Sequence, residues 1–291
     1  MKRVLTIQDI SCVGKCSLTV ALPILSCMGV EACPLPTALL STHTAFEHYT
    51  FCDLTSEIPS IEDSWEKEHI YFDTIASGYL GSILQIELVE DLFRRFLVNP
   101  RAGKQALKIV DPAMADEGKL YKGFTMEFVE SMKKLCAKAD VIVPNLTEGC
   151  LLADMPYRTD ADAGYWKEVL LKLSQLGCCQ VVLTGFAKEG KIGAISYDAR
   201  TKEFYSYLNE KLPVSYHGTG DIFASVLAGA MTLGWSLADA QKLAVDFTLE
   251  SMKAVEEDPD GVLYGVNFEE AIPHLVQRLH LKETGSDDKT S

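Results

Sequence analysis

Residues His217 to Gly229 read HGTGDIFASVLAG, two glycines around a threonine running directly into an apolar stretch with helical spacing. The first turn of a helix leaves backbone N–H groups without intrahelical partners, and glycines let a ligand approach them. With the helix dipole added, Gly218, Thr219 and Gly220 make an anion hole that could hold a phosphoryl group in transfer without a lysine. Asp221 would repel phosphate there unless it accepts a proton from an attacking hydroxyl, which makes it the candidate base. The plain alternative is an N-cap loop with an Asp favoured by the dipole. Two other phosphate patterns are excluded. Val13-Gly14-Lys15-Cys16 resembles the end of a P-loop, but Asp9 stands where its first glycine belongs and Cys16 is neither Ser nor Thr; Phe223 stands where a dinucleotide fingerprint has its third glycine.

Upstream of this stretch, short β-branched runs recur at Val4 to Ile7, Ile70 to Ala76, Leu107 to Val110, Val141 to Val143, Val181 to Leu183 and Ile192 to Ile195. Stretches of 3.6-residue periodicity separate several of them: Ile83 to Phe96, Thr125 to Ala137 and Tyr165 to Leu176. Strand then helix, repeated, predicts an α/β fold with a central, mostly parallel β-sheet and helices on both faces. Thr201 to Leu208 alternates as an edge strand would, and after His217 the pattern is wholly helical. In such sheets ligands bind beyond the carboxyl ends of the strands. The runs end in Gln8-Asp9, Ser77-Gly78-Tyr79, Asp111, Asn145 and Thr184-Gly185, which points to one site along one rim.

Composition agrees with a soluble globular chain. The chain has 291 residues, 47% hydrophobic and 23% charged, enough to bury a large core, so disordered, collagen-like and disulfide-scaffold classes are excluded. Subtracting 41 acidic from 27 basic residues gives −14, which repels phosphate backbones and anionic lipid; no nucleic acid and no membrane partner is expected. Leu18 to Val30 is too short to span a bilayer and contains Pro23, so it reads as a buried helix. Asp9 and Lys15 interrupt any signal-peptide core, and a cytoplasmic protein is expected. Nine cysteines without CxxC spacing indicate reduced core residues rather than a disulfide framework or a zinc site.

Two further clusters carry chemistry. Asp111-Pro112-Ala113-Met114-Ala115-Asp116 follows a strand, and its two carboxylates would repel each other unless a divalent cation, most economically magnesium, sits nearby. In Pro144-Asn145-Leu146-Thr147-Glu148 the plain reading is Asn145 as N-cap with Glu148 completing a capping box. The functional one has Glu148 orienting metal-bound water beside the phosphates.

Strand-end Asp-Pro, then Pro-Asn-x-x-Glu, then Gly-Thr-Gly-Asp opening a helix resemble, in this order, the ribokinase superfamily, and within it the pyridoxal, pyridoxamine and pyridoxine kinases. Ile7-Gln8, Ser41-Thr42-His43-Thr44 in the region of the family's flap, and Ser77-Gly78-Tyr79-Leu80-Gly81-Ser82 add to the likeness. The resemblance covers about residues 2 to 280. It implies a single ribokinase-like domain over 1–281 with a small flap over the substrate site; residues 282–291 are expected to form a polar, frayed tail. It also implies ATP-dependent phosphorylation of the 5′-hydroxymethyl group of a vitamin B6 vitamer, with ATP and Mg2+ required and K+ left open, by a homodimer. Residue by residue, the resemblance makes Asp221 the base, with the amides of Gly218, Thr219 and Gly220 on the transferring phosphoryl. Asp111, Asp116 and Glu148 would serve magnesium and the ATP phosphates, with Asn145 and Thr184 on the nucleotide. Gln8, Asp9, His43, Thr44 and Tyr79 would line the substrate pocket. Adenine would lie in an apolar slot after Leu208 and around Val245 to Val262.

The chain departs from the family where the substrate is chosen. Gln8-Asp9-Ile10 replaces the common Gln-Ser-His, so a carboxylate stands for a hydroxyl. Against the ring nitrogen Asp9 would favour a pyridinium; against the 4-substituent it would favour an amine over an aldehyde. In the flap, Thr42 and Phe46 stand where the family has Asn and Tyr. Three other readings stay open: a hydroxymethylpyrimidine kinase on the same fold, a catalytically silent nucleotide-binding relative, and a thiolate protein built on Cys12 and Cys16.

Overall fold

The computed structural model describes residues 1–101, 103–214, 216–256 and 264–286. β1 (Arg3–Ser11) leads through α1 (Leu18–Cys27) to β2 (Glu31–Leu40), which turns through a flap at 41–50 into β3 (Phe51–Asp53). α2 (Ile58–Lys67), β4 (Thr74–Ser77) and α3 (Ile83–Arg95) follow. A ribbon of β5 (Val98–Asn99) and β6 (Lys104–Gln105) precedes β7 (Leu107–Val110), and a second ribbon of β8 (Ala115–Asp116) and β9 (Lys119–Leu120) follows it. Then come α4 (Met126–Lys138), β10 (Val141–Ile142), α5 (Leu146–Leu152) and α6 (Ala163–Ser174). β11 (Gln180–Lys188), β12 (Lys191–Asp198) and β13 (Glu203–Glu210) run consecutively before α7 (Thr219–Leu233), α8 (Leu237–Glu256) and α9 (Phe268–Ser286).

The main sheet has the order β13-β12-β11-β10-β7-β4-β1-β2-β3. From β11 to β2 every neighbour is parallel, whereas β12, β13 and β3 are added antiparallel. The expected mostly parallel α/β sheet is what the chain forms. One detail differs: the run Ile192 to Ile195 lies in antiparallel β12, so its carboxyl end points to the opposite rim and leaves the site to the parallel strands.

Alternate side chains of the central strands feed two apolar layers, as burial on both faces requires. Leu5, Ile7, Ile75, Val110, Ile142 and Val181 join the core beneath α2 to α6. Ile109, Val141, Val143 and Val182 join the core beneath α1, α7, α8 and α9. The three-layer stack brings the N-terminus of α7 against the loop between β1 and α1. The contact is close: a Cβ on Gly218 would come 2.3 Å from the Lys15 carbonyl oxygen. α9 runs to Ser286, so residues 282–286 of the expected tail are helical, while 287–291 lie outside the described residues.

Candidate active site

α7 starts as its sequence demands. Gly218 is its N-cap with φ 79°, a left-handed conformation that glycine adopts freely, and no side chain caps the first turn. Ile222 N–H makes the first intrahelical bond, to Gly218 O, so among the described residues the amides before it have no backbone partner and are available to a ligand. Asp221 projects from this turn and its Oδ2 accepts a 2.9 Å hydrogen bond from Ser17 N–H. Burial, and secondarily the charge of Asp9, push its carboxyl up to about 6 despite that bond. It is therefore largely ionised at neutral pH yet basic enough to accept a proton, the balance a general base needs.

Asp9 is placed by a break in pairing. The β1–β2 register shifts between Gln8 and Ile10, and such a bulge re-aims a side chain. The Asp9 carboxylate turns inward, 8% exposed, and accepts a 2.6 Å bond from Ser17 Oγ. Burial raises its proton affinity, against the pull of the Ser17 hydroxyl. Ser17 thus binds both aspartates, and it does so at φ 49°, ψ −128°, a conformation that costs a non-glycine residue about 1–3 kcal/mol. The sequence reading missed this residue. Its position directly before an apolar helix is an N-cap signal, but the hydroxyl makes no cap bond and serves Asp9 instead.

The other strand ends lie around these groups. Gln8, Ser77, Asp111 and Asp221 line one small cavity between the strand ends and α7. Gln8 lies below the rim: its Nε2 donates to Thr6 Oγ1, and its amide packs so tightly on Gly78 that a Cβ there would meet Oε1 at 2.7 Å. Tyr79 is half-buried, its ring centroid 5.7 Å from that of Phe124, and burial followed by the nearby Asp9 charge raises its hydroxyl's proton affinity. On the flap, His43 N–H bonds Val13 O, tying the flap to the β1–α1 loop, and the His43 and His217 rings are 5.7 Å apart. Thr44 is exposed on the flap surface. Thr184 forms an isolated parallel bridge with Asn145, next to a register shift in β11 at Gly185.

The acidic cluster divides into unlike members. Glu148 is 3% exposed, and both its oxygens are taken by backbone N–H groups: Oε1 by Met114 and Ala115, Oε2 by Asn145. The capping box is formed: Asn145 Oδ1 accepts from Glu148 N–H, and one of its two amide N–H groups donates to Ala115 O, which leaves the second as a donor. Asp111 is half-buried, and desolvation, then Glu148, then Asp221 hold its carboxyl well above the usual range. Asp116 is exposed and accepts from Glu117 N–H. Asp111, Asp116 and Glu148 therefore do not form a closed ligand set, and among the described residues no three His, Cys, Asp or Glu side chains could hold a metal ion. Magnesium bound through one or two carboxylates, several waters and substrate phosphates needs no such set, and the charge crowding at Asp111 fits that partial site.

Cys16 is not a thiolate ligand: burial first, then Asp221 and Asp9, push its thiol up to about 12. All nine cysteines are unpaired. The adenine slot expected after Leu208 and around Val245 to Val262 falls partly on residues 257–263, which lie outside the described residues.

The family profile described as phosphomethylpyrimidine kinase matches residues 28–261. A pyridoxal kinase of Arabidopsis thaliana is 26% identical over 283 residues, covering 88% of this chain and 85% of that protein. A Bacteroides thetaiotaomicron structure, provisionally described as a phosphomethylpyrimidine kinase and solved in one crystal form with pyridoxal, is 39% identical. It superposes with TM-score 0.87 over 94% of this chain and 95% of its own. Pyridoxal kinase of Lactobacillus plantarum is 29% identical with TM-score 0.85, over 96% of this chain and 98% of its own.

Proposed function

The chain belongs to the phosphomethylpyrimidine kinase family, and from that premise we propose that it transfers the γ-phosphoryl group of ATP to the 5′-hydroxymethyl group of a vitamin B6 vitamer. One observation carries the reading. A carboxylate tuned to about 6 stands on the same helix turn as the amides of the glycine loop, which supports base and anion hole serving one reacting group. The likeness to a pyridoxal-containing structure over 94% of the chain supports the choice of ring.

Asp221 takes the hydroxymethyl proton as the oxygen attacks, and the amides of Gly218, Thr219 and Gly220 bind the phosphoryl oxygens as charge moves across them. Asp111 would hold magnesium together with the nucleotide phosphates, with Glu148 fixing the backbone behind it; the ion would offset phosphate charge. Thr184 lines the nucleotide side. Tyr79 offers its ring to the pyridine, and His43 on the flap covers the substrate with Thr44 beside it. Asp9 favours the amine-bearing vitamer, pyridoxamine, because a buried carboxylate gains most from a cation in contact. We read residues 1–281 as one kinase unit, acting in the cytoplasm, where nine free thiols stay reduced, and as a homodimer.

A second reading has an observation of its own. The same buried Asp9 could hold an aminopyrimidine, which agrees with the description of the matching family. ADP release under magnesium-ATP, with pyridoxamine, pyridoxal, pyridoxine and hydroxymethylpyrimidine in one panel, separates the two. The expected result is turnover of the B6 vitamers, with the highest kcat/KM for pyridoxamine. Equal values for pyridoxamine and pyridoxal remove Asp9 from vitamer choice, preference for the pyrimidine establishes the second reading, and silence toward all four leaves a nucleotide-binding relative without catalysis.

A further inference from the structure

Among the described residues, Ser17 is the one joined to both the proposed base and the proposed specificity carboxylate, its N–H to Asp221 Oδ2 at 2.9 Å and its Oγ to Asp9 Oδ1 at 2.6 Å. Its backbone, at φ 49° and ψ −128°, has the geometry of the first central position of a type II′ turn, where glycine is the usual residue. The chain places serine there instead. A serine left to itself relaxes toward negative φ, and that rotation swings its N–H away from Asp221. The start of α1 holds one side of it, since Ser17 O accepts from Val20 and Ala21 N–H, and the short bond from its hydroxyl to a carboxylate fixed at a β-bulge is the side-chain contact that adds to this.

We propose that Ser17 is a positioning residue for phosphoryl transfer: its hydroxyl, anchored on Asp9, holds the backbone in a strained turn that aims its N–H at the Asp221 carboxylate. Asp9 therefore acts on turnover through Ser17 as well as on substrate choice. The proposal rests on Asp221 being the base, but not on which acceptor is phosphorylated. It explains why a residue beside the substrate is a carboxylate that spends one oxygen inside the protein.

The test compares Ser17→Ala with Ser17→Gly. Alanine loses the anchor and keeps the strain; glycine loses the anchor and removes the strain. With the preferred acceptor of the panel, Ser17→Ala is expected to lower kcat about tenfold to a hundredfold, the worth of a hydrogen bond to a charged group. KM for ATP stays within a factor of about two, and Ser17→Gly recovers most of the lost kcat. Asp9→Ala repeats the kcat loss, and combined with Ser17→Ala it loses no more than the larger single loss, because both break one connection. A crystal structure of Ser17→Ala gives a readout that needs no activity: φ at residue 17 turns negative and its N–H leaves hydrogen-bond distance of Asp221. Equal kcat in the alanine and glycine variants, additive losses with Asp9→Ala, or an unchanged backbone at residue 17 overturns the proposal. If Ser17→Ala does not fold, Ser17→Gly carries the test, since a loss in it as large as in Asp9→Ala rejects the backbone mechanism. Failure of the vitamer reading appears in the panel alone and leaves these comparisons intact.

Discussion

The rings of His43 and His217 face each other at 5.7 Å with their planes tilted by 43°, so the flap closes onto the residue that precedes the glycine loop. The pair joins two parts of the site that share no strand or helix.

That contact makes the flap sensitive to pH. Burial, and then the neighbouring His217, lower the proton affinity of His43 below its ordinary value of 6.5. The unfolded or open flap then binds more protons than the closed one, so closure is fully favoured above 6.5 and is lost as pH falls through the lowered value. Amide hydrogen exchange over residues 41–50 should be slow near pH 7.5 and faster, after correction for intrinsic rates, near about 5.5. His43→Gln should flatten that dependence; a flap equally protected at both values would separate closure from this pair.

Asp221→Asn keeps the shape of the α7 turn and removes the base. Turnover should fall by about 10²-fold to 10⁴-fold, with ATP affinity by calorimetry nearly unchanged. In the unaltered enzyme, kcat/KM should rise with pH through about 6 as Asp221 loses its proton, because only the carboxylate can accept another. A loss below tenfold would assign the proton to a different group.

Gly218→Ala tests how tightly the loop is assembled. A methyl group there would press on Lys15 O at 2.3 Å while the backbone stays at φ 79°. Relief requires moving either the β1–α1 loop or the helix start. Urea unfolding should show a loss of about 2–4 kcal/mol, the combined scale of a strained backbone and an overpacked contact. Nucleotide affinity should drop with it, whereas Gly220→Ala, with nothing within 4 Å of the added carbon, should be far milder in stability.

The central strands were readable because short apolar runs with β-branched residues, such as Leu107 to Val110 with Ile109 and Val110, fit a buried sheet. The helices α3, α4 and α6 were readable from their periodicity, within two residues at each end. β2 was not, since Pro34 and Pro36 argue against a strand. They are tolerated because β3 pairs only with Ala38 to Leu40, leaving an open edge beside the prolines. Asp221, Asp111 and Asp9 were legible as polar residues at strand or helix ends. Ser17 was not, because its role depends on a positive φ that no residue type other than glycine announces, and on a partner distant in sequence. The fate of Glu148 was legible only as a choice between cap and metal, and the two backbone amides at 114–115 that decide it leave no pattern in the sequence.

The hydrogen bond between Ser17 and Asp221 spans 204 positions of the chain, and the carbonyl of Lys15 rests on Gly218 across nearly the same interval. During synthesis, the side chains proposed to recognise the acceptor, from Gln8 to Tyr79, are made early, and the proposed base and phosphate amides at 218–221 are made late. A ribosome-bound fragment carrying β1, the flap and the central strands can collapse around its apolar layers, but it has neither base nor phosphate cradle to spend a nucleotide. Chemistry is therefore withheld from incomplete chains by geometry alone, and ATP hydrolysis without an acceptor should be absent from any amino-terminal fragment that stops short of residue 217.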